Sequence, residues 1–135
     1  EFPMIARQQI TAGAELLLVP SCTDTQAGFH RVRIGCQARA LENQCYVVQS
    51  PTTGLAPWSE AVDINTGRAS VYTPVDYGFP DNGILVEGAD DEANWVFATL
   101  DLRELARIRA EGQVFNHRDW PKQLALKGPE QAAFS

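Results

Sequence analysis

An unbroken apolar run, Leu16-Leu17-Leu18-Val19, closed by Pro20, most constrains how this chain can fold. A strand with one face in water alternates apolar and polar side chains, whereas a strand covered on both faces is apolar throughout. The run therefore predicts a buried strand of the kind found in parallel sheets that lie between other layers.

Helical and strand patterns alternate over residues 1–49. Pro3 suits the first turn of a helix that ends near Gly13. An apolar stripe predicts a second, longer helix over residues 28–43. β-forming side chains at 45–49 predict the next strand. The order helix, strand, helix, strand favours an α/β fold.

The patterns weaken after residue 50, where turn residues become frequent. The sequence predicts a surface loop beside a site (50–67), two antiparallel strands (68–73 and 84–86), a further strand (95–100), a helix (102–111) opened by an Asp101–Glu104 capping box, and a tail (113–135). We therefore expect a domain region at 1–112 followed by a C-terminal tail at 113–135.

Composition and charge argue against several classes of protein. The net charge is −6 and no basic stripe could neutralise phosphates, so nucleic acid is not an expected partner. No stretch approaches the roughly 20 apolar residues of a membrane span. The three cysteines match no CxxC pattern, which favours reduced thiols in the cytoplasm over a disulfide framework or a metal site. No cofactor is predicted.

Three segments in register resemble the nitrilase superfamily of carbon–nitrogen hydrolases. Residues 1–3, Glu-Phe-Pro, resemble the end of that family's nucleophile motif. Residues 12–21 are similar to the strand that follows the nucleophile helix. Residues 39–48 are similar to the family's Arg-Ala-x-Glu-Asn helix end and its next strand. The similarity extends to about residue 120.

Two further segments narrow the resemblance to a bacterial branch whose members sometimes carry a fused acetyltransferase domain. Residues 22–24, Cys-Thr-Asp, and residues 31–33, Arg-Val-Arg, resemble that branch. Met4 departs from it, because an acidic residue is commoner after the Phe-Pro pair. This departure affects only the choice of branch.

The resemblance implies a four-layer α-β-β-α sandwich, of which this chain would be the C-terminal half. On the same resemblance, the complete subunit would pair with a second copy in a homo-oligomer. It also implies hydrolysis of amide, nitrile or carbamoyl carbon–nitrogen bonds in small, non-peptide molecules through a cysteine thioester intermediate. The glutamate, lysine and cysteine of that chemistry would lie upstream of Glu1. We therefore expect no catalytic residue in this chain, and no activity from the fragment without the missing N-terminal half.

The resemblance also assigns roles to residues of this chain. Ser21, Cys22 and Thr23 would line the substrate pocket, at a strand end where α/β sheets bind ligands. Cys22 could instead be a nucleophile, but no paired base accompanies it in the sequence. Cys36 and Cys45 fall on a helix stripe and a strand, where free cysteine packs as a small hydrophobe.

Four more residues are expected to be structural near the site. They are Glu1, Arg39, Glu42 and Asn43, and the Arg39–Glu42 pair lies on one helix face. In the family this pair is buried near the nucleophile, so we class it as architectural.

Two alternatives remain open from the sequence. One is a nitrilase-like binding or scaffold domain without working chemistry, which an incomplete upstream triad would favour. The other is a self-standing α/β ligand-binding domain. Half a sandwich would leave an apolar sheet face uncovered and would aggregate when expressed alone, whereas a self-standing domain would melt cooperatively.

Overall fold

The computed structural model describes residues 2–128. Over that part the chain forms helices and strands in this order: α1 (Pro3–Thr11), β1 (Leu16–Ser21), α2 (Gln26–Asn43), β2 (Tyr46–Pro51), β3 (Gly54–Leu55), β4 (Ile64–Asn65), β5 (Ser70–Tyr72), β6 (Ile84–Glu87), α3 (Leu102–Glu111) and α4 (Asn116–Gln123).

The predicted alternation of helix and strand up to residue 49 is confirmed. Pro3 begins α1, where its fixed φ and missing N–H are tolerated. Thr25 caps α2 by accepting a hydrogen bond from the Gly28 amide, with 3.1 Å between Oγ1 and N. The left-handed Gln44 ends that helix (φ 48°) and turns the chain into β2. These observations establish a mixed α/β fold.

The main sheet has the strand order β1-β2-β5-β6. β1 and β2 are parallel, with Leu16 opposite Tyr46 and Ser21 opposite Pro51. β5 pairs antiparallel with both β2 and β6, as the sequence predicts for the second strand pair. Since β1 is the edge strand of this sheet within the described residues, its outer backbone groups lie open.

A short second sheet forms inside the stretch predicted as a surface loop. β3 and β4 pair antiparallel, with Gly54 opposite Asn65 and Leu55 opposite Ile64. We call residues 54–65 the β3–β4 hairpin. Each of its strands has two residues, which is too short for an alternating pattern to be visible in the sequence.

Helices α1 and α2 cover one face of the main sheet. The core between them holds these buried residues: Ile10, Leu17, Cys36, Ala40, Cys45, Val47 and Tyr72. The prediction that Cys36 and Cys45 are core residues is confirmed, with exposed fractions of 3% and 0%.

The opposite face of β1 is open, although its sequence predicts a strand covered on both sides. Leu17 is 8% exposed, whereas its neighbour Leu18 on the other face is 70% exposed. Within residues 2–128, therefore, only one of the two predicted covering layers packs on this strand.

The predicted strand at 95–100 is wrong. Its aromatic and β-branched residues favour a strand, but the segment has no strand partner among the described residues. Trp95 and Phe97 instead stack on each other, with ring centroids 6.5 Å apart, and are 87% and 81% exposed. β propensity without a pairing edge does not make a strand.

The C-terminal helices correct two further expectations. Asp101 caps α3 as predicted, because its carboxylate accepts from the Arg103 amide at 2.9 Å. Glu104 does not complete a capping box, since its carboxylate binds Arg107 at 2.6 Å. The stretch expected to be a patternless tail contains α4, while the division of the chain at residue 112 stays a prediction. Between residues 2 and 128 no helix has the length and apolar character to cross a membrane.

Candidate functional site

The carboxyl ends of β1 and β2 lie side by side at one edge of the main sheet. Ser21 is opposite Pro51, and the Thr52 amide donates to the Ser21 carbonyl oxygen at 2.9 Å. The carboxyl edge of adjacent parallel strands is where α/β sheets commonly bind ligands. Ser21, Cys22 and Thr23 lie at this edge, and their role in a pocket stays a prediction.

Asn65 joins this edge to the β3–β4 hairpin. Its side-chain oxygen accepts from the Cys22 thiol at 3.2 Å and from the Thr52 hydroxyl at 2.7 Å. Its side-chain nitrogen donates to the carbonyl oxygens of Gly54 and Val62, at 3.3 and 2.6 Å. The side chain is thus bonded at both ends of its amide, and only 7% of the residue is exposed.

Thr23 makes a second connection, to the residue that follows the hairpin. The Thr23 hydroxyl donates to the Thr66 carbonyl oxygen at 2.9 Å, and the Thr66 amide donates back to the Thr23 carbonyl at 2.8 Å. Gly28 makes room for this arrangement, because a Cβ there would lie 3.2 Å from the Thr23 Cβ. The start of α2 and the end of β1 are therefore packed closely together.

The Thr66 hydroxyl extends the network away from the strand end. It accepts from the Gln26 side-chain amide at 2.9 Å and donates to the Asp91 carboxylate at 2.6 Å. The Thr66 hydroxyl and then the Gly67 amide lower the pKa of Asp91 by binding its charged form. Asp91 holds a left-handed conformation, φ 56°, where it also donates its own amide to Gly67.

The Ser21 hydroxyl oxygen is buried and has no hydrogen-bond partner among residues 2–128. Buried hydroxyls ordinarily find a partner. This strand end is lined by side chains that are polar and carry no formal charge: Ser21, Cys22, Thr23, Thr52 and Asn65.

The other predicted residues lie at the far end of α2. Arg39 lies about 20 Å along the helix axis from the first turn of α2. Its guanidinium pairs with Glu42 at 2.6 Å, and both side chains are partly buried. Asn43 is fully buried, donates to the Arg39 carbonyl at 3.0 Å and accepts from Arg7 at 3.5 Å. The structure thus separates this group from Ser21, Cys22 and Thr23, and Glu1 lies outside the described residues.

A groove of about 520 Å³ runs along the open edge of β1. Its lining is mainly apolar and includes Phe2, Ile5, Leu18 and Val32, with Arg39 as its charged member. Apolar surface of this kind on a sheet edge is covered in most native assemblies.

The three free cysteines differ in their surroundings. Burial raises the pKa of Cys36 to about 11 and that of Cys45 to about 12, so both thiols stay protonated. Cys22 is exposed, but its thiol contacts the Asn65 amide and no base among the described residues. No three His, Cys, Asp or Glu side chains within residues 2–128 converge as a metal site would require.

The sequence did not point to Asn65, Thr66 or Asp91. The stretch Asp90-Asp91-Glu92 reads as a solvated charge run, but Asp91 binds Thr66 and Gly67, and Asp90 pairs with Arg68. The one available signal was Asn65-Thr66-Gly67, a polar turn-forming triplet at the end of the predicted loop.

The chain is similar to three proteins whose names concern hydrolysis or nitrilases. It is 38% identical over 119 residues to Probable hydrolase YhcX of Bacillus subtilis. It is 30% identical over 117 residues to the deaminated glutathione amidase of Bos taurus. It is also 30% identical over 118 residues to the nitrilase and fragile histidine triad fusion protein NitFhit of Caenorhabditis elegans. No family model matches the sequence.

These similarities cover most of this chain but a small part of each relative. The matched region is 88%, 87% and 87% of the chain, and it spans 23%, 33% and 24% of the three relatives in the same order. The relatives are therefore about three to four times longer than the segment that they share with this chain.

Proposed function

We propose that this chain is part of a nitrilase-superfamily hydrolase that cleaves non-peptide carbon–nitrogen bonds. The observation that carries the proposal is the 38% identity over 119 residues with Probable hydrolase YhcX. The deaminated glutathione amidases and NitFhit support the same family. On this proposal residues 1–112 are the C-terminal half of the hydrolase domain.

The proposed chemistry belongs to residues upstream of this chain. A cysteine thiolate attacks the amide, nitrile or carbamoyl carbon. With an amide, the carbon–nitrogen bond breaks, the amine leaves with a proton delivered by the glutamate, and water then cleaves the thioester. The lysine stabilises the negative charge that develops on the substrate oxygen. Cys22 is not the nucleophile in this scheme, because its partner is an amide and not a base.

This chain contributes a wall of the substrate pocket. Ser21, Cys22 and Thr23 stand at the carboxyl end of β1, and Asn65 and Thr52 bind to them directly or through the adjacent backbone. These groups are neutral hydrogen-bonding groups, suited to an uncharged polar part of a small substrate. Arg39, Glu42 and Asn43 support the end of α2 and serve the architecture.

A four-layer sandwich is proposed for the complete domain. Support comes from the open face and free edge of β1, where Leu18 is 70% exposed beside the 520 Å³ groove. The missing N-terminal half would cover this surface, and the greater length of the relatives is consistent with such a half.

The remaining partners and the location are proposals of the same kind. Ile34 and Leu41 are 65% and 44% exposed on the outer face of α2, which supports pairing with a second subunit. Three free thiols support a reducing compartment such as the cytoplasm. A fused acetyltransferase domain is likewise part of the proposal for the parent protein.

A noncatalytic binding or scaffold domain is the alternative function. The neutral polar wall at the carboxyl edge of β1 would suit a bound ligand as well as a substrate. The two functions differ upstream, where the enzyme needs an intact glutamate, lysine and cysteine.

The test uses the full-length gene product and a panel of small amides, nitriles and carbamoylated amines. We expect release of ammonia or amine from members of the panel, and an acyl adduct, trapped by acid quench, on a cysteine outside residues 2–128. An adduct on Cys22 would contradict the assigned mechanism. A protein that binds panel compounds without turnover would establish the scaffold function instead.

A second measurement tests the half-domain proposal. Expressed alone, the 135-residue chain should aggregate or bind a hydrophobic dye, because Leu18 and its neighbours lack a cover. Co-expression of the upstream segment, which is the expected partner, should restore solubility. A soluble monomer with a sharp cooperative melt would count against this proposal.

A further inference from the structure

We propose that Asn65 is a positioning residue that fixes Cys22 and the β3–β4 hairpin as a single wall of the substrate pocket. The inference rests on the proposed function, since it concerns the same pocket. It adds a residue and a structural element that the resemblance does not assign.

Asn65 suits this role because both ends of its amide are in use. The oxygen accepts from Cys22 and Thr52, which belong to the ends of β1 and β2. The nitrogen donates to Gly54 and Val62, which belong to the hairpin. An aspartate could accept the same bonds but could not donate, and an alanine could do neither.

The geometry connects two elements that have few other ties. The hairpin itself has one pair of very short strands, Gly54–Leu55 and Ile64–Asn65. An isolated two-stranded hairpin is marginally stable in water. The Asn65 side chain and the neighbouring Thr23–Thr66 bonds therefore hold it against the strand end.

The β3–β4 hairpin, which Asn65 bonds to the neutral strand end, carries exposed apolar side chains. Leu55, Trp58 and Ile64 are 74%, 84% and 51% exposed. Together with the polar wall, they match a small substrate that is uncharged where it meets this wall. A negative charge at position 65 would then weaken binding of substrates that carry a carboxylate more than binding of neutral ones.

The experiment compares Asn65→Ala and Asn65→Asp in the full-length gene product. Asn82→Ala is the matched control, because Asn82 is an exposed asparagine that accepts one backbone bond, from Ile84. Three quantities are measured: the alkylation rate of Cys22 by N-ethylmaleimide, hydrogen exchange over residues 54–65, and KM and kcat for neutral and carboxylate-bearing members of the panel.

We expect Asn65→Ala to accelerate Cys22 alkylation and hairpin exchange by at least about fivefold to tenfold, because it removes all four side-chain hydrogen bonds and the loss of one bond alone corresponds to up to about this factor. KM should rise about tenfold while kcat changes by less than about threefold, since the pocket wall shifts but the upstream nucleophile does not. Asn65→Asp should raise KM most for carboxylate-bearing substrates. Asn82→Ala should leave all three quantities unchanged.

Thr52→Val keeps the inference testable if the Asn65 variants fail to fold. Thr52 is exposed, and this nearly isosteric change removes its bond to Asn65. The other three bonds of the Asn65 side chain are left in place. We expect the same changes in alkylation and exchange, at about twofold to threefold.

The outcomes separate this inference from the proposed function. Unchanged alkylation and exchange in every variant would overturn the positioning role, whatever the activity. Faster alkylation with unaltered KM and kcat would contradict the inference that Cys22 and the hairpin form a wall of the substrate pocket. If the wild-type protein turns over no substrate, the proposed function fails, and alkylation with exchange still decides whether Asn65 positions Cys22 and the hairpin.

Discussion

The two ends of the parallel pair β1–β2 are built in opposite ways. At the amino end Gln44 and Cys45 are fully buried. Arg109 donates twice to the Gln44 carbonyl oxygen, at 2.8 and 3.1 Å, which attaches α3 to the strand. The Gln44 side chain donates to Val114 at 3.2 Å and accepts from the His117 amide at 3.0 Å, which attaches α4.

At the carboxyl end, polar side chains bind one another near solvent. Cys22 is exposed, and its thiol and the Thr52 hydroxyl share the Asn65 oxygen. The Ser21 hydroxyl has no partner in the described part of the chain. The hairpin at this end carries the exposed Leu55, Trp58 and Ile64.

The difference separates stability from function along one pair of strands. Bonds to backbone carbonyls in a buried junction fix how helices dock, so substitutions at the amino end should lower the free energy of unfolding. Accessible side-chain networks contribute less to stability and are free to meet a ligand. Substitutions of the exposed Cys22 and Thr52 at the carboxyl end should therefore change thiol reactivity and binding before they change stability.

The largest expected effect is on cysteine chemistry. At pH 8 a thiol with a pKa of about 12 is about a thousandfold less ionised than one with the ordinary value of 9.0, and a thiol with a pKa of about 11 is about a hundredfold less ionised. Alkylation followed by peptide mapping should therefore label Cys22 and leave Cys36 and Cys45 unlabelled. The same labelling in urea, where all three thiols react, is the control. Equal alkylation rates at Cys22 and Cys45 in the native protein would contradict the proposed difference between the two strand ends.

Next in size is the effect of removing the Gln44 side chain. Gln44→Ala breaks its bonds to Val114 and His117 and should lower the free energy of unfolding of the full-length protein by about 2–3 kcal/mol. Gln44→Gly loses the same bonds but relieves the left-handed backbone, so it should be less destabilising by up to about 1 kcal/mol. Urea denaturation measures both values. Wild-type stability in both variants would show that this junction does not hold α4.

The fold was more predictable than the site because its signals are local. The apolar run at 16–19 and the stripe along α2 each encode an element within a few turns of chain. The strand predicted at 95–100 is wrong because Trp95 and its neighbours have strand propensity but no strand to pair with within residues 2–128. α4 was missed because Pro121 interrupts its pattern and its docking depends on Gln44, 73 residues before His117.

The candidate site shows the same limit more strongly. Ser21, Cys22 and Thr23 could be proposed because they follow a recognisable strand. Asn65 could not, because its bond to Cys22 spans 43 residues and connects two polar side chains without periodicity. Such contacts are decided by tertiary packing, which sequence patterns do not record.

The smallest expected effect is a pH dependence of α4 docking. Burial, and then the charges of Arg109 and Arg7, lower the pKa of His117 below its ordinary value of 6.5. The unfolded chain therefore binds a proton more readily than the folded chain. The stability of the α4 contact should be constant well above pH 6.5 and decline as the pH falls through 6.5 towards the lower folded value.

Hydrogen exchange over Asn116–Gln123, corrected for the intrinsic pH dependence, measures this decline between pH 7.5 and pH 5. His117→Gln should remove it, whereas His30→Gln, at an exposed histidine on α2, should leave it in place. The nearby carboxylate of Asp119 titrates below this range, because Arg118 and Lys122 hold its pKa at about 2. A decline that persists in His117→Gln would mean that another group couples pH to the amino end. A flat profile in the wild-type protein would mean that neither burial nor the charges of Arg109 and Arg7 lower the pKa of His117 in the folded protein.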